Sequence, residues 1–430
     1  MNSGEVAPQR PAAAPAFSLA HLFVGSGAQI VAQGIALLSM TVVARLYSPA
    51  ELGLFTLFST LMMFLAPLGS LTLSNAILFA TRRGEMFSLG QASLLGTLAV
   101  SLLVVVLGSV LSATVSAELL WWMPLLLAFA LITKALSFWA SQSAIWFARI
   151  PLEARAAILA AVATAMIRIL GGAIEADAFW LMLAAGVGPA LLALVVWQNA
   201  FGGLSLRRVF RFDRNRLLAA TSQHADFPRY TMPAIAIRYG ALALAPWFLS
   251  ERFGLAVSGQ YGLAFTIMMM PLALLTIAVS RIMTRPIVSV FDANRSDGVR
   301  MVLRASGGFG IVSTLAAAVL FFTVNHIIPI IFGSGWDQAG RFVICLLPWM
   351  IMMFIELPML ILVPRLKLQS HAARLEMTFA LIRILVLLAG ARFAGPIGAV
   401  LGFALAGAIQ SFIMTTITVH RARSNRASSA

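Results

Sequence analysis

The sequence predicts an all-α, polytopic membrane protein with about twelve membrane-spanning helices in two six-helix repeats. Composition is the first observation: 60% of the residues are hydrophobic and 10% are charged, whereas a soluble domain carries about 25% charged residues. The second is that apolar runs, most with the roughly 20 residues that a bilayer core requires, recur along the whole chain. The third is a short pattern that returns in the second half.

The apolar runs define the individual spans, and short loops separate them. No soluble domain of useful size fits between two spans. The first run lacks a cleavage-site pattern, so we interpret it as a retained helix and not as a signal peptide. The twelve spans are predicted at residues 18–45, 51–79, 88–112, 119–147, 152–173, 178–201, 228–249, 256–281, 300–324, 338–363, 372–391 and 396–419.

The basic residues indicate how these spans are oriented. Of the 30 Lys and Arg residues, 22 fall on the side of the termini and of the loops after even-numbered spans, four fall on the other side, and four lie inside spans. Because loops rich in Lys and Arg stay in the cytoplasm, both termini are predicted to be cytoplasmic. The formal charge of +15 is then a topology signal that also attracts membrane lipids. Nucleic acid is not an expected partner.

The spans divide into two lobes joined by a basic linker. Residues 204–218 mix apolar and basic side chains at near-helical spacing, which predicts a helix along the cytoplasmic headgroups. The predicted organisation is a disordered cytoplasmic N-terminus at 1–17, a first lobe at 18–201, a cytoplasmic amphipathic linker at 202–227, a second lobe at 228–420 and a cytoplasmic tail at 421–430.

A gapless repeat supports the two lobes. GLFTLFSTLMM at 53–63 aligns with GQYGLAFTIMM at 259–269, an offset of 206 residues. A second pair, AMIRIL at 165–170 and ALIRIL at 380–385, lies 215 residues apart, and the longer loop after the eighth span absorbs the difference. Because each half has an even number of spans, both halves enter the membrane in the same direction. A cavity between the halves is therefore expected.

Four cations lie inside predicted spans, where a central Lys or Arg costs about 2.5–3.5 kcal/mol and tends to face a cavity. Little acid opposes them: Glu356 in the tenth span and Glu376 near the cytoplasmic end of the eleventh. Cavity-facing cations are therefore favoured over ion pairs between helices. For Glu356 a structural ion pair is favoured over a proton carrier, and both acids are candidates for ion coupling. The four cations are Lys134, Arg168, Arg238 and Arg383.

Uncharged polar residues form stripes near these cations. Ser137 and Ser141 share a helical face with Lys134, and Gln29 and Gln33 form a stripe on the first span. Such residues either line a water-filled cavity or hydrogen-bond between helices. The spacing leaves both interpretations open.

The sequence predicts no metal site and no cofactor. Cys345 is the single cysteine, so neither a disulfide framework nor a cysteine-based metal site can be built. No Gly-x4-Gly-Lys loop is present to hold a nucleotide phosphate. A cationic cavity favours an anion, and guanidinium groups pair two phosphate oxygens at once. A large amphiphile with a phosphate head is the expected ligand.

The stretch ARLYSPAELGLFTLFSTLMMFLAPLGSLTLSNAIL, residues 44–78, resembles the loop and second helix of polysaccharide transporters. These are the O-antigen and exopolysaccharide flippases of the multidrug/oligosaccharidyl-lipid/polysaccharide (MOP) exporter superfamily. The span count, the two halves and the short outer loops also match, so the resemblance covers nearly the whole chain. The pattern is a basic residue, proline, an acid, glycine and an aromatic residue, here Arg45, Pro49, Glu51, Gly53 and Phe55.

The resemblance implies a V-shaped, two-lobe fold like that of MATE transporters. It also implies that the chain moves undecaprenyl-pyrophosphate-linked oligosaccharide from the cytoplasmic to the periplasmic leaflet of a bacterial inner membrane. Polysaccharide polymerase and export proteins are then expected partners. Cations in the lumen of such flippases hold the pyrophosphate and acidic sugars. By position in the spans, and not by a matched motif, that role falls to the four buried cations.

Two other functions are open to the sequence. Cation-coupled exporters of small molecules with this fold use membrane-embedded acids in the first half, and spans 1–6 have none at depth. A membrane polymerase or ligase of lipid-linked glycans commonly needs a sizeable outer loop, whereas the longest one here, about 325–337, is short. Its His326 and Asp337 are expected to cap helix ends. We therefore predict a transporter with no catalytic residues.

Overall fold

The computed structural model describes residues 19–114, 122–200 and 213–424, and every regular element within these ranges is helical. The whole predicted N-terminal segment at 1–17, residues 202–212 of the predicted linker and residues 425–430 of the predicted tail lie outside the described residues. Eleven of the described helices are long and apolar enough to cross a membrane. The last of them reverses direction, so these residues make twelve crossings and confirm the predicted all-α fold.

Six membrane helices form the first lobe. Proline lies in the first turn of α2, α4 and α5, where its missing N–H has no intrahelical partner to lose. Ser48 caps α2, because its Oγ accepts a hydrogen bond from Glu51 N (3.2 Å). The helices are α1 (Leu19–Leu46), α2 (Pro49–Ser70), α3 (Arg83–Thr114), α4 (Met123–Trp146), α5 (Ile150–Ile174) and α6 (Ala178–Ala200).

The second lobe follows a short linker helix, α7 (Arg214–Gln223). α7 is held to the first lobe where His224 Nε2 lies 2.8 Å from Glu85 Oε1. The remaining helices are α8 (Met232–Phe253), α9 (Leu255–Ile282), α10 (Thr284–Ala293), α11 (Arg295–Phe332), α12 (Asp337–Glu356) and α13 (Gln369–Ser424).

Helix α13 contains two crossings, as the sequence predicted. Ala394 (φ −140°) and Gly395 (φ 60°) are not helical, and they divide α13 into a first arm at 369–393 and a second arm at 396–424. A Cβ on Gly390 would collide with the Gly398 carbonyl, and one on Gly402 would lie 2.8 Å from Val386 O. Residues later in the second arm therefore contact residues earlier in the first arm. The two arms are antiparallel.

Two predicted spans are shorter than expected. The helix of span 51–79 ends at Ser70, because Leu71 (φ 51°) and Thr72 (φ 54°) have left-handed backbone. The helix of span 338–363 ends at Glu356, two residues before Pro358. In both places single turns of helix follow instead of a continued span.

The predicted outer loop at 325–337 is also shorter than expected, since α11 runs on to Phe332. His326 lies inside this helix, so the expectation that it caps a helix end is wrong. Asp337 is the first residue of α12, where an acid is favoured by the helix dipole.

The two lobes have equivalent internal packing. In the first lobe α1 packs on α5, and α4 packs on both α3 and α6. In the second lobe α8 packs on the first arm of α13 through Arg238 and Glu376. α12 packs on α11, and its Trp349 meets Phe403 of the second arm. The equivalent pairs occur in the same chain order, which confirms the two six-helix repeats.

Candidate functional site

The lobes meet where α2 approaches α9. Gly53 and Gly259 lie backbone against backbone, and a Cβ added to Gly259 would lie 2.7 Å from Gly53 N. A Cβ on Gly53 would collide with Leu255 O, and one on Gly259 would collide with Pro49 O. We call this end of the molecule the closed end.

The closed-end contacts are symmetric under the sequence repeat. An offset of 206 residues takes Gly53 to Gly259 and Pro49 to Leu255, and the two collisions exchange accordingly. Gly262 lies against Thr56, and the same offset of 206 residues takes Thr56 to Gly262. A pseudo-twofold axis therefore passes between α2 and α9.

Arg45 links the two lobes at the closed end through hydrogen bonds. Its Nε donates to Ile331 O (2.9 Å) and its Nη2 to Ile330 O (2.5 Å). Both carbonyls belong to the last turn of α11, where they lack intrahelical partners and the helix dipole favours a cation. Nearby, Trp336 Nε1 donates to Ala44 O (2.7 Å). The first residue of the family pattern thus joins α1 to the second lobe.

The acid of the pattern acts within the first lobe. Glu51 Oε2 accepts a hydrogen bond from Ala178 N (2.7 Å), the first residue of α6. Tyr47 lies between the pattern residues, and its hydroxyl donates to Arg168 O (2.8 Å). Phe55 ends the pattern and stacks on Arg168, whose Cζ lies 4.9 Å from the ring centroid. The pattern therefore connects the closed end to one of the buried cations.

A cavity of about 510 Å³ lies between the lobes next to the closed end. Its walls follow α2 from Leu52 to Met63 and α9 from Tyr261 to Thr276. Gln33 contributes from α1 and Tyr239 from α8. Most of the remaining lining is apolar or carries hydroxyl groups. The expected cavity between the halves is present.

Arg168 is the one charged residue among the described residues that line this cavity. Its Nε is buried and has no hydrogen-bond partner among the described residues. A buried guanidinium without an acidic partner is costly. Arg168 thus lines the cavity, and its role as an anion-binding group stays a prediction.

Arg383 occupies the equivalent helix but faces the interior of the second lobe. It is 3% exposed, and its Cζ lies 5.1 Å from the ring centroids of both Trp349 and Phe403. Tyr261, the repeat counterpart of Phe55, lies close enough to interact with it electrostatically. Both arginines thus have an aromatic neighbour from the equivalent helix. The structure does not place the two side chains on facing walls of one cavity.

A polar network holds Arg383 in place. Its Nη2 donates to Gln410 Oε1 (2.9 Å), and Gln410 Nε2 donates to Glu376 Oε2. Glu376 also accepts a hydrogen bond from Arg238 Nε (3.3 Å). Glu376 therefore forms an ion pair with Arg238. The sequence had left open whether the acids inside the spans form such structural ion pairs. Gln410 was not singled out by the sequence.

Glu356 ends α12 beside this network. The Ser411 hydroxyl bonds to its carboxylate, and Arg238 and Glu376 lie near enough to interact with it. The second lobe thus contains two half-buried acids and two arginines in one cluster.

The other predicted polar residues have separate surroundings. Lys134 is exposed on α4 and does not line the cavity between the lobes. Ser137 Oγ bonds back to Lys134 O (2.8 Å), and Ser141 Oγ donates to Glu153 Oε1 (2.7 Å). Of the two glutamines, Gln33 lines the cavity, whereas Gln29 does not.

Glu153 is an acid of the first lobe that the sequence interpretation did not single out. It is 8% exposed and lies in the first turn of α5, at the end of a membrane span and not at its centre. The prediction that spans 1–6 have no acid at depth is therefore unchanged. No group of three or more His, Cys, Asp or Glu side chains suited to a metal occurs among the described residues.

Solved structures share this arrangement of helices. The lipid II flippase MurJ, in an inward closed conformation, matches with a TM-score of 0.72 over 93% of this chain and 87% of that chain, at 12% identity. VcmN, a MATE transporter of Vibrio cholerae, matches with a TM-score of 0.62 over 94% and 96% of the two chains, at 14% identity. An inward-facing MATE transporter described as a member of the MOP superfamily matches with a TM-score of 0.59. This chain has the MOP exporter fold.

One curated protein is similar to this chain in sequence. The lipopolysaccharide biosynthesis protein WzxC of Escherichia coli K12 is 24% identical over 321 residues, which are 72% of this chain. The match spans 62% of the length of WzxC. No family model matches the chain. The predicted resemblance is confirmed to this extent: the chain is similar in sequence to a lipopolysaccharide biosynthesis protein and shares its fold with MOP exporters. It is a multi-pass membrane protein.

Proposed function

We propose that the chain is a flippase that moves an anionic lipid-linked oligosaccharide across the bacterial inner membrane for surface polysaccharide synthesis. The observation that carries the proposal is Arg168, which lines the cavity between the lobes and whose buried Nε has no hydrogen-bond partner among the described residues. Guanidinium groups bind phosphate oxygens through charge-assisted hydrogen bonds. The relatives WzxC and MurJ support a lipid-linked substrate.

The cavity lining fits a glycolipid head as well as its phosphate. Thr56, Ser59, Thr60 and Thr266 bring hydroxyl groups that can bond to sugar. Phe and Met side chains supply apolar surface beside them. A substrate of the undecaprenyl pyrophosphate type carries all three chemical features. No catalytic step and no cofactor are part of the proposal.

Orientation follows from the distribution of charge. With 22 basic residues on the side of the termini and four on the other, the termini are cytoplasmic and the closed end is periplasmic. The described conformation is then the one that accepts substrate from the cytoplasmic leaflet. Alternating access would open the closed end and expose the cavity to the periplasm.

The other predicted residues take secondary roles in this proposal. Lys134, Arg238 and Arg383 are binding cations for a conformation other than the described one. Glu356 and Glu376 are the groups that couple the movement to an ion. Polysaccharide polymerase and export proteins act on the product after release.

The test is complementation of a deletion strain. Arg168→Ala is expected to abolish surface polysaccharide and to accumulate lipid-linked oligosaccharide on the cytoplasmic leaflet, whereas Arg168→Lys retains part of the transport. Arg216→Gln is the matched control, since Arg216 is an exposed arginine that pairs with Asp213 (3.0 Å). Normal polysaccharide in a strain with correctly inserted Arg168→Ala protein would refute the proposal.

The same strains test a cation-coupled exporter of small molecules. The cavity has an apolar lining with Phe55, Phe265 and several methionines, which also suits lipophilic drugs. That function predicts increased drug sensitivity of the deletion strain with normal surface polysaccharide. The flippase function predicts the reverse.

A further inference from the structure

A groove of about 590 Å³ lies on the outside of the second lobe, apart from the cavity between the lobes. It runs along α11 and is bordered by Ile355 of α12 and Thr415 of the second arm of α13. Its floor is formed by Ser306, Gly307 and Gly310 of α11. At Gly307 an added Cβ would meet nothing within 4 Å. We call it the α11 groove.

Two hydroxyl groups in the α11 groove lack partners. Helical Ser and Thr side chains usually bond back to a carbonyl one turn earlier, and Thr416 and Thr418 do so at 2.9 and 2.8 Å. Ser306 is 3% exposed, and neither its Oγ nor Thr415 Oγ1 has a partner among the described residues. Because buried hydroxyl groups are normally hydrogen-bonded, these two unpaired donors indicate that a ligand supplies an acceptor.

The groove faces lipid. Ile311 and Leu315, which follow on the same helix and also line it, are 65% and 63% exposed. These side chains lie within a membrane-crossing helix. An apolar chain can therefore enter the groove sideways from the bilayer.

Cations lie at one end of the groove. Arg300 and Arg304 precede Gly307 by two turns and one turn on the same side of α11. Arg300 pairs with Asp297, whereas Arg304 is exposed and has no partner among the described residues. The rim is thus positive and the floor is apolar, with unpaired hydroxyls between them.

We propose that the α11 groove binds one anionic diacyl glycerophospholipid. The phosphate pairs with Arg304, the ester carbonyls accept from Ser306 and Thr415, and one acyl chain fills the space beside Gly307. This vertical order of charge, ester and hydrocarbon is that of a glycerophospholipid. A polyprenyl phosphate has no ester carbonyl, so it leaves the two hydroxyls unpaired. The site is independent of the proposed transport cavity.

A pair of adjacent glycines provides the first test. Gly307→Leu fills the groove, and Gly308→Leu is the matched control, because neither position has an atom within 4 Å of its Cβ and Gly308 does not line the groove. The full chain is purified in detergent, and native mass spectrometry follows phosphatidylglycerol binding. Binding is expected to fall about tenfold for Gly307→Leu and to stay unchanged for Gly308→Leu. Equal effects of the two variants would overturn the proposal.

Ester recognition is the second test. Wild-type protein is expected to bind diester phosphatidylglycerol several-fold more tightly than its diether analogue, and Ser306→Ala with Thr415→Val removes the difference. Arg304→Gln is expected to remove the preference for phosphatidylglycerol over phosphatidylcholine. Equal binding of the ester and ether lipids by the wild type, or displacement of phosphatidylglycerol by equimolar polyprenyl phosphate, contradicts the assignment.

Discussion

Gly53 and Gly259 pack backbone against backbone at the junction of the lobes, and each is the counterpart of the other in the repeat. The collisions expected for a Cβ at either position involve main-chain carbonyls, which cannot move aside as a flexible side chain can. Close contact between the lobes therefore depends on the absence of side chains at both positions. In the proposed transport cycle this contact forms and breaks.

Gly53→Leu is expected to hold the closed end apart. Thr276→Cys, on the part of the cavity wall farthest along α9 from the closed end, reports the effect when Cys345 is replaced by Ala. Labelling of that cysteine by an impermeant maleimide from the periplasm should rise several-fold. Gly34→Leu is the control, because a Cβ at Gly34 meets nothing within 4 Å. Equal labelling of both variants would show that the glycine contact does not determine closure.

Thr56→Cys with Gly262→Cys is expected to form a disulfide across the lobes. An added Gly262 Cβ lies 3.1 Å from Thr56 Cβ, and a disulfide needs about 3.5–4.5 Å, so a small shift suffices. With a protease site inserted between the lobes, oxidised protein stays in one piece on a gel after cleavage. Oxidation should stop polysaccharide export and a reductant should restore it. Continued export by the fully cross-linked protein would show that the closed end need not open.

Glu376→Gln is expected to destabilise the second lobe. The change removes the charge that pairs with Arg238 and contacts Gln410, and through Gln410 it loosens Arg383. Because Arg238 is 61% exposed, solvent screens this ion pair, and its loss costs about 1 kcal/mol. The midpoint of thermal unfolding in detergent should fall by several degrees, whereas Glu175→Gln, at an exposed helix end, leaves it unchanged. A fall of equal size in both variants would argue against the network.

The folded protein is expected to lose stability in strong alkali because of the Tyr47 hydroxyl. It lies between α1 and α2, and burial raises the pKa of its hydroxyl to about 12 against the opposing effect of Arg168. Above pH 10 the unfolded chain loses this proton and the folded chain keeps it, so stability falls between pH 10 and 12 and is unaffected below. The loss is about 2–3 kcal/mol. Denaturant unfolding of Tyr47→Phe should show a smaller fall over this range, and parallel curves would exclude the effect.

The sequence predicted the helices and the repeat because both depend on composition and spacing. The reversal in α13 coincides with the Gly-Pro pair at Gly395, and the twelve crossings follow from the apolar runs. The early end of span 51–79 was missed, because Leu71 and Thr72 have left-handed backbone that is uncommon for such residues. Hydropathy does not register a change in backbone conformation.

The direction of the two arginines could not be predicted. The patterns AMIRIL and ALIRIL placed Arg168 and Arg383 correctly on equivalent helices, yet one faces the cavity and the other faces Trp349 and Phe403. A helix that is apolar on all sides gives no signal of its rotation. The partners of Arg383 come from other helices, which a local pattern cannot show.

Arg45 binds main-chain oxygens at the end of α11 and contacts no acidic side chain there. Positions 330 and 331 can therefore accept many side chains without loss of this bond, provided that the helix still ends at the same height. An insertion or deletion in the last turns of α11 would move both carbonyls at once. The hydrogen bonds from Arg45 are thus sensitive to the length of α11 and tolerant of its sequence. A scan of single substitutions at the end of α11 would therefore underestimate the importance of these bonds for the closed end.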